Sequence, residues 1–318
     1  MYKIGIIQKI HDKGLELLDA HKDFEYEIID DVSEENLLKK IHLYDAVSLR
    51  VSKLSNNLLS KATKLKVISR HGVGYDNVDT SYLKQNNITL LITATANAIA
   101  VSEHVFYLML TISKNFLNLD NEVRIGNFKS NINKLETFEL HNKEILIAGF
   151  GRIGKNLIKK CLGFDMKVKV FDPFVDKKVI SEMGGEKVDN FNIALKTLDF
   201  LSVHMPLNKS TKDLIDIKKM KTMKKTSVII NTARGGIINE IDLNQALNEK
   251  IILAAGLDVF STEPINLNSP LLKNKRIILS PHTAALTNEC KIRMAKETAQ
   301  NIVDFFDNKL NKSMVVKL

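Results

Sequence analysis

The segment between residues 144 and 172 constrains the fold of this chain more than any other. It reads EILIAGFGRIGKNLIKKCLGFDMKVKVFD. Its apolar run from Ile145 to Ala148 is typical of a parallel strand that is buried on both faces. A second strand is expected at Val168–Phe171, with an amphipathic helical stretch between the two. The segment therefore predicts a strand, a tight turn, a helix and a strand, the unit from which doubly wound sheets are built.

The turn in this unit has the spacing G-x-G-x-x-G, formed by Gly149, Gly151 and Gly154. In such a turn the first glycine permits the sharp bend, and the second lets the backbone approach a pyrophosphate. The third allows close packing of the following helix on the strand. The helix also presents free N–H groups and the positive end of its dipole to phosphates. The spacing predicts a dinucleotide site.

An acidic residue, Asp172, follows the second strand, where a carboxylate accepts hydrogen bonds from the ribose of a bound dinucleotide. A carboxylate at this position would repel the 2′-phosphate of NADP, and Pro173 stands where an NADP site favours Arg. A lone glycine motif often marks only a tight turn. Here the strand, the helix and the acid are all present, so the sequence favours a cofactor site, with NAD as the cofactor.

The same alternation of apolar runs and amphipathic stretches recurs along the whole chain. Strands are predicted at Lys3–Ile7, Tyr26–Ile29, Ala46–Leu49, Lys66–Ser69, Thr89–Ile92, Glu144–Ala148, Val168–Phe171, Phe200–Val203, Ser227–Asn231, Ala254–Val259 and Ile277–Leu279. Helices are expected between them, with one long connecting helix near 98–119 and a final one near 287–308. The pattern predicts an α/β fold with two doubly wound parallel sheets.

Composition and charge exclude several functional classes. With 318 residues, of which 44% are hydrophobic and 26% charged, the chain is expected to form two globular domains. No apolar stretch approaches the roughly 18 residues of a membrane span, and no signal peptide is expected. The net charge of +9 comes from scattered lysines without a basic arm or zinc module, so no nucleic-acid partner is expected. Two cysteines without metal-site spacing fit a cytoplasmic protein without a metal.

Polar residues follow three predicted strands of the second half. Arg234 follows one of them, and its planar guanidinium suits a carboxylate, although such an Arg also commonly fixes a loop. Asp258 lies at the end of the next strand, Glu263 follows that strand, and His282 follows the last. A His after Pro is more often a cap or a packed residue than a catalyst. Three such groups beside a dinucleotide site instead favour acid–base chemistry, with a carboxylate that fixes the His tautomer.

Six motifs in order give the chain a resemblance to a known family. They are HGVGYDNVD, GFGRIG, VHMPL with Thr211 after it, INTARGGIINE, AGLDVFSTEP and SPHTA. Together they resemble the D-isomer-specific 2-hydroxyacid dehydrogenases, close to the phosphoglycerate dehydrogenase branch. The resemblance implies a Rossmann NAD-binding domain, residues 98–285, inserted in a flavodoxin-like substrate domain, residues 1–97 and 286–318. It also implies a homodimer formed through the nucleotide domain.

The resemblance assigns roles to individual residues. Arg234 would bind the substrate carboxylate and carbonyl, Glu263 would orient the His, and His282 would deliver the proton. The implied cofactor contacts are Gly149, Gly151, Arg152, Ile153, Gly154, Asp172, His204, Met205, Pro206, Thr211, Thr232, Ala233, Asp258 and Ala284. Among these, Asp258 would meet the nicotinamide carboxamide. The implied substrate contacts are Arg50, Arg70, Val73, Gly74 and Asn97.

The implied substrate is a 2-hydroxy or 2-keto acid. Arg50 and Arg70 correspond to positions that favour a phosphorylated acid, so the sequence favours oxidation of D-3-phosphoglycerate to 3-phosphohydroxypyruvate in serine biosynthesis. If these arginines form salt bridges instead, the alternatives are a glyoxylate or hydroxypyruvate reductase and a D-lactate-type dehydrogenase. Formate dehydrogenases resemble the chain but carry Gln in place of Glu263. An NAD-sensing, corepressor-like binding protein is the alternative from another class.

The chain departs from the family pattern in two places. The usual T-P-G-x-N appears as Thr93-Ala94-Thr95-Ala96-Asn97, which lacks a Pro and a Gly and makes the stiffness of this segment different from the family's. Asn142 stands where Gly is expected. Because Asn tolerates a left-handed backbone, this second change is expected to be harmless.

Overall fold

The computed structural model describes residues 1–128 and 136–318 of the chain. These residues form two compact units. The first unit comprises Met1–Asn97 and Ala285–Leu318, and the second comprises Ala98–Ala284. Ala285, which was expected in the inserted domain, clusters with the first unit. Each unit is a parallel β-sheet with helices, so the predicted fold class is confirmed.

The sheet of the first unit has the strand order β2-β1-β3-β4-β5, and all of its pairs are parallel. Its strands are β1 (Tyr2–Ile7), β2 (Phe24–Ile29), β3 (Ala46–Leu49), β4 (Val67–Arg70) and β5 (Thr89–Ile92). This order is that of flavodoxin-like folds, in which ligands bind beyond the carboxyl ends of the strands. The described bounds agree with the predicted strands to within two residues.

The helices of the first unit are α1 (Asp12–Asp19), α2 (Glu34–Lys40), α3 (Asn56–Leu59), α4 (Thr80–Gln85) and α12 (Asn288–Phe306). Helix α12 belongs to this unit because it packs directly on α1. A Cβ at Gly14 of α1 would lie 2.5 Å from the carbonyl oxygen of Ala295, so only glycine permits the approach. The Ser69 hydroxyl at β4 also donates to the carbonyl of Thr298.

The sheet of the second unit has the strand order β12-β11-β10-β9-β6-β7-β8, again with parallel pairs. Its strands are β6 (Glu144–Ala148), β7 (Lys167–Phe171), β8 (Glu186–Lys187), β9 (Phe200–Val203), β10 (Val228–Asn231), β11 (Ala254–Leu257) and β12 (Ile277–Leu279). This is the Rossmann order with one further strand. The order reverses between β6 and β9, where doubly wound sheets bind dinucleotides.

The helices of the second unit are α5 (Ala98–Ser113), α6 (Phe116–Arg124), α7 (Arg152–Gly163), α8 (Lys177–Glu182), α9 (Phe191–Ala194), α10 (Ile217–Met220) and α11 (Glu240–Asn248). The single long helix predicted near 98–119 was wrong. Asn115 adopts a left-handed backbone with φ +48°, which ends α5 and starts α6 in a new direction. Asn142 is also left-handed, with φ +59°, as expected. Among the described residues, no helix has the length and apolar character that a membrane span requires.

Candidate active site

The glycine turn after β6 is fixed by close backbone packing. Gly149 has φ +100°, and a Cβ there would lie 2.6 Å from the carbonyl oxygen of His204. A Cβ at Gly154 would lie 2.5 Å from the carbonyl oxygen of Gly149. These two glycines therefore shape the turn and seat the start of α7 against it.

The middle glycine differs from its neighbours because its surroundings are open. A Cβ on Gly151 would meet no atom of the described structure within 4 Å. Gly151 is the N-cap of α7 and provides no side-chain cap, so the N–H groups of the first turn, beginning at Arg152 and Ile153, have no partner from the cap. An open space beside uncapped N–H groups is the arrangement that a pyrophosphate fills.

Asp172 connects the glycine turn to the end of β7. Its Oδ2 accepts a hydrogen bond from the Phe150 N–H at 2.7 Å, and its Oδ1 accepts one from the Phe174 N–H at 2.9 Å. A carboxylate offers about four acceptor sites, so it retains capacity for ribose hydroxyls while it orders the turn.

Further cofactor candidates lie at the ends of β9 and β10. The loop that contains Met205 is closed by Thr211, whose hydroxyl donates to the carbonyl of Pro206 at 2.6 Å. His204 precedes this loop, and burial lowers the pKa of its imidazole to about 4, so the ring is neutral at pH 7.

Two buried polar atoms at these strand ends lack a partner within the described part of the chain. They are Nδ1 of His204 and the hydroxyl oxygen of Thr232. Because buried polar groups are normally satisfied, each such atom is suited to bond a ligand. By contrast, the Ala233 N–H is already bonded to the side chain of Asn231. The open Gly151, the free acceptor capacity of Asp172 and these orphaned atoms together fit a dinucleotide.

A His–carboxylate pair lies at the end of β12. Nδ1 of His282 and Oε2 of Glu263 are 2.7 Å apart, and Oε1 of Glu263 accepts from the Phe260 N–H at 3.0 Å. Since an ionised carboxylate only accepts, His282 carries a proton on Nδ1, which leaves Nε2 for proton exchange. His282 itself has a left-handed backbone, φ +53°. Such strain is concentrated at functional sites.

Burial, hydrogen bonds and nearby charges together shift the pKa of Glu263. Burial raises the pKa of this carboxyl, but the hydrogen bonds from His282 and Phe260, with the positive charges of His282 and Arg234, lower it below its usual value. Glu263 is therefore ionised at neutral pH and able to stabilise a positive imidazolium. The positive charge of Arg234 acts on this carboxyl, so Arg234 lies near the pair and the three predicted catalytic residues come together in the second unit.

Arg234 is held by the turn that follows β10. Its Nη1 donates to the carbonyl of Ala233 at 2.6 Å, and its own carbonyl accepts from Nδ2 of Asn231 at 2.8 Å. A Cβ on Gly235 would lie 1.9 Å from the carbonyl carbon of Phe260, so this turn packs directly on the segment that leads to Glu263. The same packing positions the arginine and the carboxylate.

Asp258, expected at the nicotinamide, is fully buried. Its Oδ1 accepts from the Ser280 hydroxyl at 2.6 Å and from the Thr283 N–H at 2.9 Å, and its Oδ2 accepts from the Ala284 N–H at 2.9 Å. The carboxylate thus bonds the chain on both sides of His282. The N–H of Ala284, another predicted cofactor contact, is occupied by this bond.

Two residues of this network were missed from the sequence. His104 on α5 and Ser280 before His282 are joined by a bond of 2.8 Å between Nε2 and Oγ. Within SEHVFYLML a histidine on a mainly apolar helix was the available signal. It was insufficient because the partner lies 176 residues away along the chain.

The residues predicted as substrate contacts in the first unit lie at or after the carboxyl ends of its strands. Arg50 follows β3 and donates from Nη1 to the carbonyl of Lys9 at 3.1 Å. Arg70 ends β4 and donates to the carbonyls of Leu49 and His71 and to Oδ1 of Asn77. Burial and the charges of Arg50 and Arg70 lower the pKa of His71 to about 4.

The other residues predicted as substrate contacts lie in two loops of the same unit. Val73 and Gly74 are half-buried in the loop after β4, and Asn97 is half-buried after β5. The segment that ends at Asn97 is held although it lacks the family's Pro and Gly. Glu297 of α12 accepts from the Thr95 hydroxyl at 2.7 Å and from the Ala96 N–H at 3.1 Å. Within residues 1–128 and 136–318, no cluster of three or more His, Cys, Asp or Glu suits a metal ion.

A protein-family model matches more than half of the chain. The model described as "D-isomer specific 2-hydroxyacid dehydrogenase, NAD binding domain" matches residues 106–284. These residues include the glycine turn, Arg234, Glu263 and His282.

Curated relatives match nearly the whole chain. The D-3-phosphoglycerate dehydrogenase of Methanocaldococcus jannaschii is 34% identical over 316 residues, 99% of this chain. The glyoxylate reductase of Thermococcus litoralis is also 34% identical, over 328 residues, 99% of this chain and 97% of that protein. The chain spans only 59% of the length of the M. jannaschii relative.

Solved structures share the fold. A D-lactate dehydrogenase from Aquifex aeolicus, complexed with NAD and lactic acid, has a TM-score of 0.85 at 27% identity, and 98% of each chain is covered. A 3-phosphoglycerate dehydrogenase from Entamoeba histolytica with bound NAD⁺ has a TM-score of 0.83 at 26% identity, covering 100% of this chain and 99% of that one.

Proposed function

The chain belongs to the D-isomer specific 2-hydroxyacid dehydrogenase family and carries its NAD-binding domain, and we propose that it interconverts a D-2-hydroxy acid and its 2-keto acid. The observation that carries this proposal is the 2.7 Å bond between His282 and Glu263 at the end of β12. We assign cofactor binding, proton transfer and binding of the acid's carboxylate to the second unit. Recognition of the acid's other substituent is assigned to the first.

His282 is the proposed proton donor when the keto acid is reduced. Glu263 holds the proton on Nδ1, so the proton given to the carbonyl oxygen leaves from Nε2. The ionised Glu263 stabilises the imidazolium before transfer. In the oxidation direction the neutral imidazole accepts the hydroxyl proton at the same nitrogen.

Arg234 is proposed to bind the carboxylate of the acid and to polarise its carbonyl. Its guanidinium presents several donors in a planar fork that matches a carboxylate bidentately. Donors that are already held by the surrounding turn need little reorganisation as negative charge develops on the oxygen.

NAD, when bound, supplies the acceptor or donor of the hydride. The N–H groups around Gly151 and at the start of α7 would hold its pyrophosphate, and Asp172 its ribose. Thr232 and His204 supply the orphaned polar atoms that a bound dinucleotide would satisfy. Asp258 would act by holding the chain around His282, because its carboxylate is buried.

For the acid itself we propose D-3-phosphoglycerate, oxidised to 3-phosphohydroxypyruvate in serine biosynthesis. Leu49 and Arg70 are register partners in neighbouring parallel strands, so Arg50 and His71 follow at the same edge of the sheet. The positive charges of Arg50 and Arg70 both lower the pKa of His71, so both guanidinium groups lie near this residue. Two guanidinium groups at the same carboxyl edge of a sheet suit a phosphate.

A second candidate is the reduction of glyoxylate. It is favoured by the bonds from Arg70 to Leu49, His71 and Asn77, which are the contacts of an arginine that orders a loop. The T. litoralis relative that this chain covers over 97% of its length is a glyoxylate reductase.

The two candidates are separated by a panel of keto acids assayed with NADH. We expect fast oxidation of NADH with 3-phosphohydroxypyruvate. Arg50→Gln should raise KM for that acid about 10- to 100-fold, the loss of one charge-assisted hydrogen bond, and leave glyoxylate turnover unchanged. Lys53→Gln, an exposed neighbour, is the matched control. Preference for glyoxylate, hydroxypyruvate or pyruvate would exclude the phosphorylated acid, and no turnover with any acid would favour an NAD-sensing binding protein.

We also propose a homodimer formed through the second unit. Helix α6 has no buried residue, and Phe116, Leu117 and Val123 on it are 51–56% exposed. Ile125 and Phe128, just after the helix, are also exposed. Several large apolar side chains exposed on one segment are typical of an interface. A cytoplasmic location is proposed as well, since Cys161 and Cys290 are buried free thiols.

A further inference from the structure

Three polar residues form a hydrogen-bonded chain in the second unit. They are His104 on α5, Ser280 just after β12 and Asp258 just after β11. Nε2 of His104 is 2.8 Å from the Ser280 hydroxyl oxygen, and that hydroxyl is 2.6 Å from Oδ1 of Asp258. Nε2 also lies 3.6 Å from the same carboxylate oxygen. All three residues belong to the second unit, and none is among the groups that transfer the proton.

The direction of these hydrogen bonds follows from the number of protons. An ionised carboxylate only accepts, so the single Ser280 proton goes to Asp258. The Ser280 oxygen must then accept from His104. Burial lowers the pKa of His104 although the charge of Asp258 raises it, so the ring is neutral at pH 7 and carries its one proton on Nε2.

The carboxylate at the end of this chain determines the backbone around His282. Asp258 bonds Ser280 on one side and the N–H groups of Thr283 and Ala284 on the other. His282, between them, has φ +53°, a conformation that non-glycine residues adopt only when the surroundings enforce it. Loss of one bond to Asp258 frees the carboxylate to rotate and relaxes that constraint.

We propose that His104 is a positioning residue: its Nε2–H, acting through Ser280, holds the Asp258 carboxylate in the orientation that fixes the backbone of His282. This inference rests on the proposed role of His282 as proton donor and extends the machinery to a helix that the reaction does not otherwise use. It accounts for a polar side chain on α5, whose neighbours Val105, Leu108 and Met109 are buried and apolar.

The test compares His104→Leu, Ser280→Ala and the double variant with His104→Gln in the intact enzyme. His104→Leu should lower kcat about 10- to 100-fold, the cost of a small misplacement of a reacting group. The KM for NADH should be unchanged, and the primary isotope effect with NADH deuterated at C4 should increase. His104→Gln, whose amide also donates to Ser280, should recover most of the rate. Glu103→Gln, exposed on the same helix turn, is the matched control.

Ser280→Ala keeps the test valid if the leucine variant does not fold. Because His104 acts through Ser280, the double variant should be no slower than the slower single variant. Additive losses, or a near-normal kcat in His104→Leu with no change in isotope effect, would overturn the proposal. If the unmodified enzyme reduces no keto acid, the proposed function itself has failed. That outcome differs from failure of the His104 proposal, in which the unmodified enzyme is active and the His104 variants retain its rate.

Discussion

Single atoms fix the geometry of the pair formed by His282 and Glu263. Oε2 of Glu263 faces Nδ1 of His282 at 2.7 Å, and its other oxygen is occupied by the Phe260 N–H. The family resemblance predicted His282, Glu263 and Arg234 from their motifs. It did not predict His104 or Ser280, because their contact depends on where α5 packs on the sheet, and local sequence does not encode that position.

Glu263→Gln should show a pH-dependent loss of stability. The pKa of Glu263 is lower in the folded chain than its usual 4.5, so its charge stabilises the fold above pH 4.5. That stabilisation is lost as the pH falls through the lower, folded value. The variant should melt below the wild type at pH 7, and the difference should close on acidification. Glu103→Gln is the control, and a gap that is the same at pH 7 and pH 3 would contradict the assignment.

At the scale of elements, strand positions and the glycine turn were predictable because their signals are local. Buried apolar runs gave the strands of both sheets except β8, whose two residues carry no apolar run, and glycine spacing gave the turn before α7. The break between α5 and α6 was not predicted. It depends on the left-handed Asn115, a conformation that Asn permits but does not require.

The three glycines of the turn should respond differently to substitution by alanine. Gly149→Ala and Gly154→Ala each place a Cβ within 2.6 Å of a carbonyl oxygen and should destabilise the fold by about 1–3 kcal/mol or more. Gly151→Ala has open space, so its stability should change by less than about 0.5 kcal/mol. Its NAD affinity should nevertheless fall about tenfold. Thermal unfolding and NAD titration check both, and unchanged NAD affinity in Gly151→Ala would contradict a pyrophosphate at this turn.

For the whole molecule, the alternation of strands and helices predicted two doubly wound sheets, and only the family resemblance implied their flavodoxin-like and Rossmann strand orders. The order follows from tertiary packing and from the handedness of βαβ crossovers rather than from any single segment. The family resemblance implied that residues 286–318 belong to the substrate domain, and α12 packs on α1 of the first unit, where Gly14 meets Ala295.

The proposed dimer can be tested on the exposed face of α6. The wild type should have twice the chain mass of 35.9 kDa. The double variant Phe116→Glu with Val123→Glu should be a monomer, because dimerisation would then desolvate charged carboxylates at the interface. Light scattering after size-exclusion chromatography measures the mass. Phe174→Glu, which is 94% exposed outside α6, is the control. A wild-type monomer, or a variant that keeps the dimer mass, would refute this interface.

His282 is the proposed proton donor to the bound keto acid. This role is tested by the rate of NADH oxidation by wild type and His282→Asn with the best keto acid, with NADH binding titrated on the same preparations. We expect a 10²- to 10⁴-fold lower kcat, roughly the contribution of a general acid, with unchanged NADH affinity. A near-normal rate in His282→Asn would show that another group gives the proton.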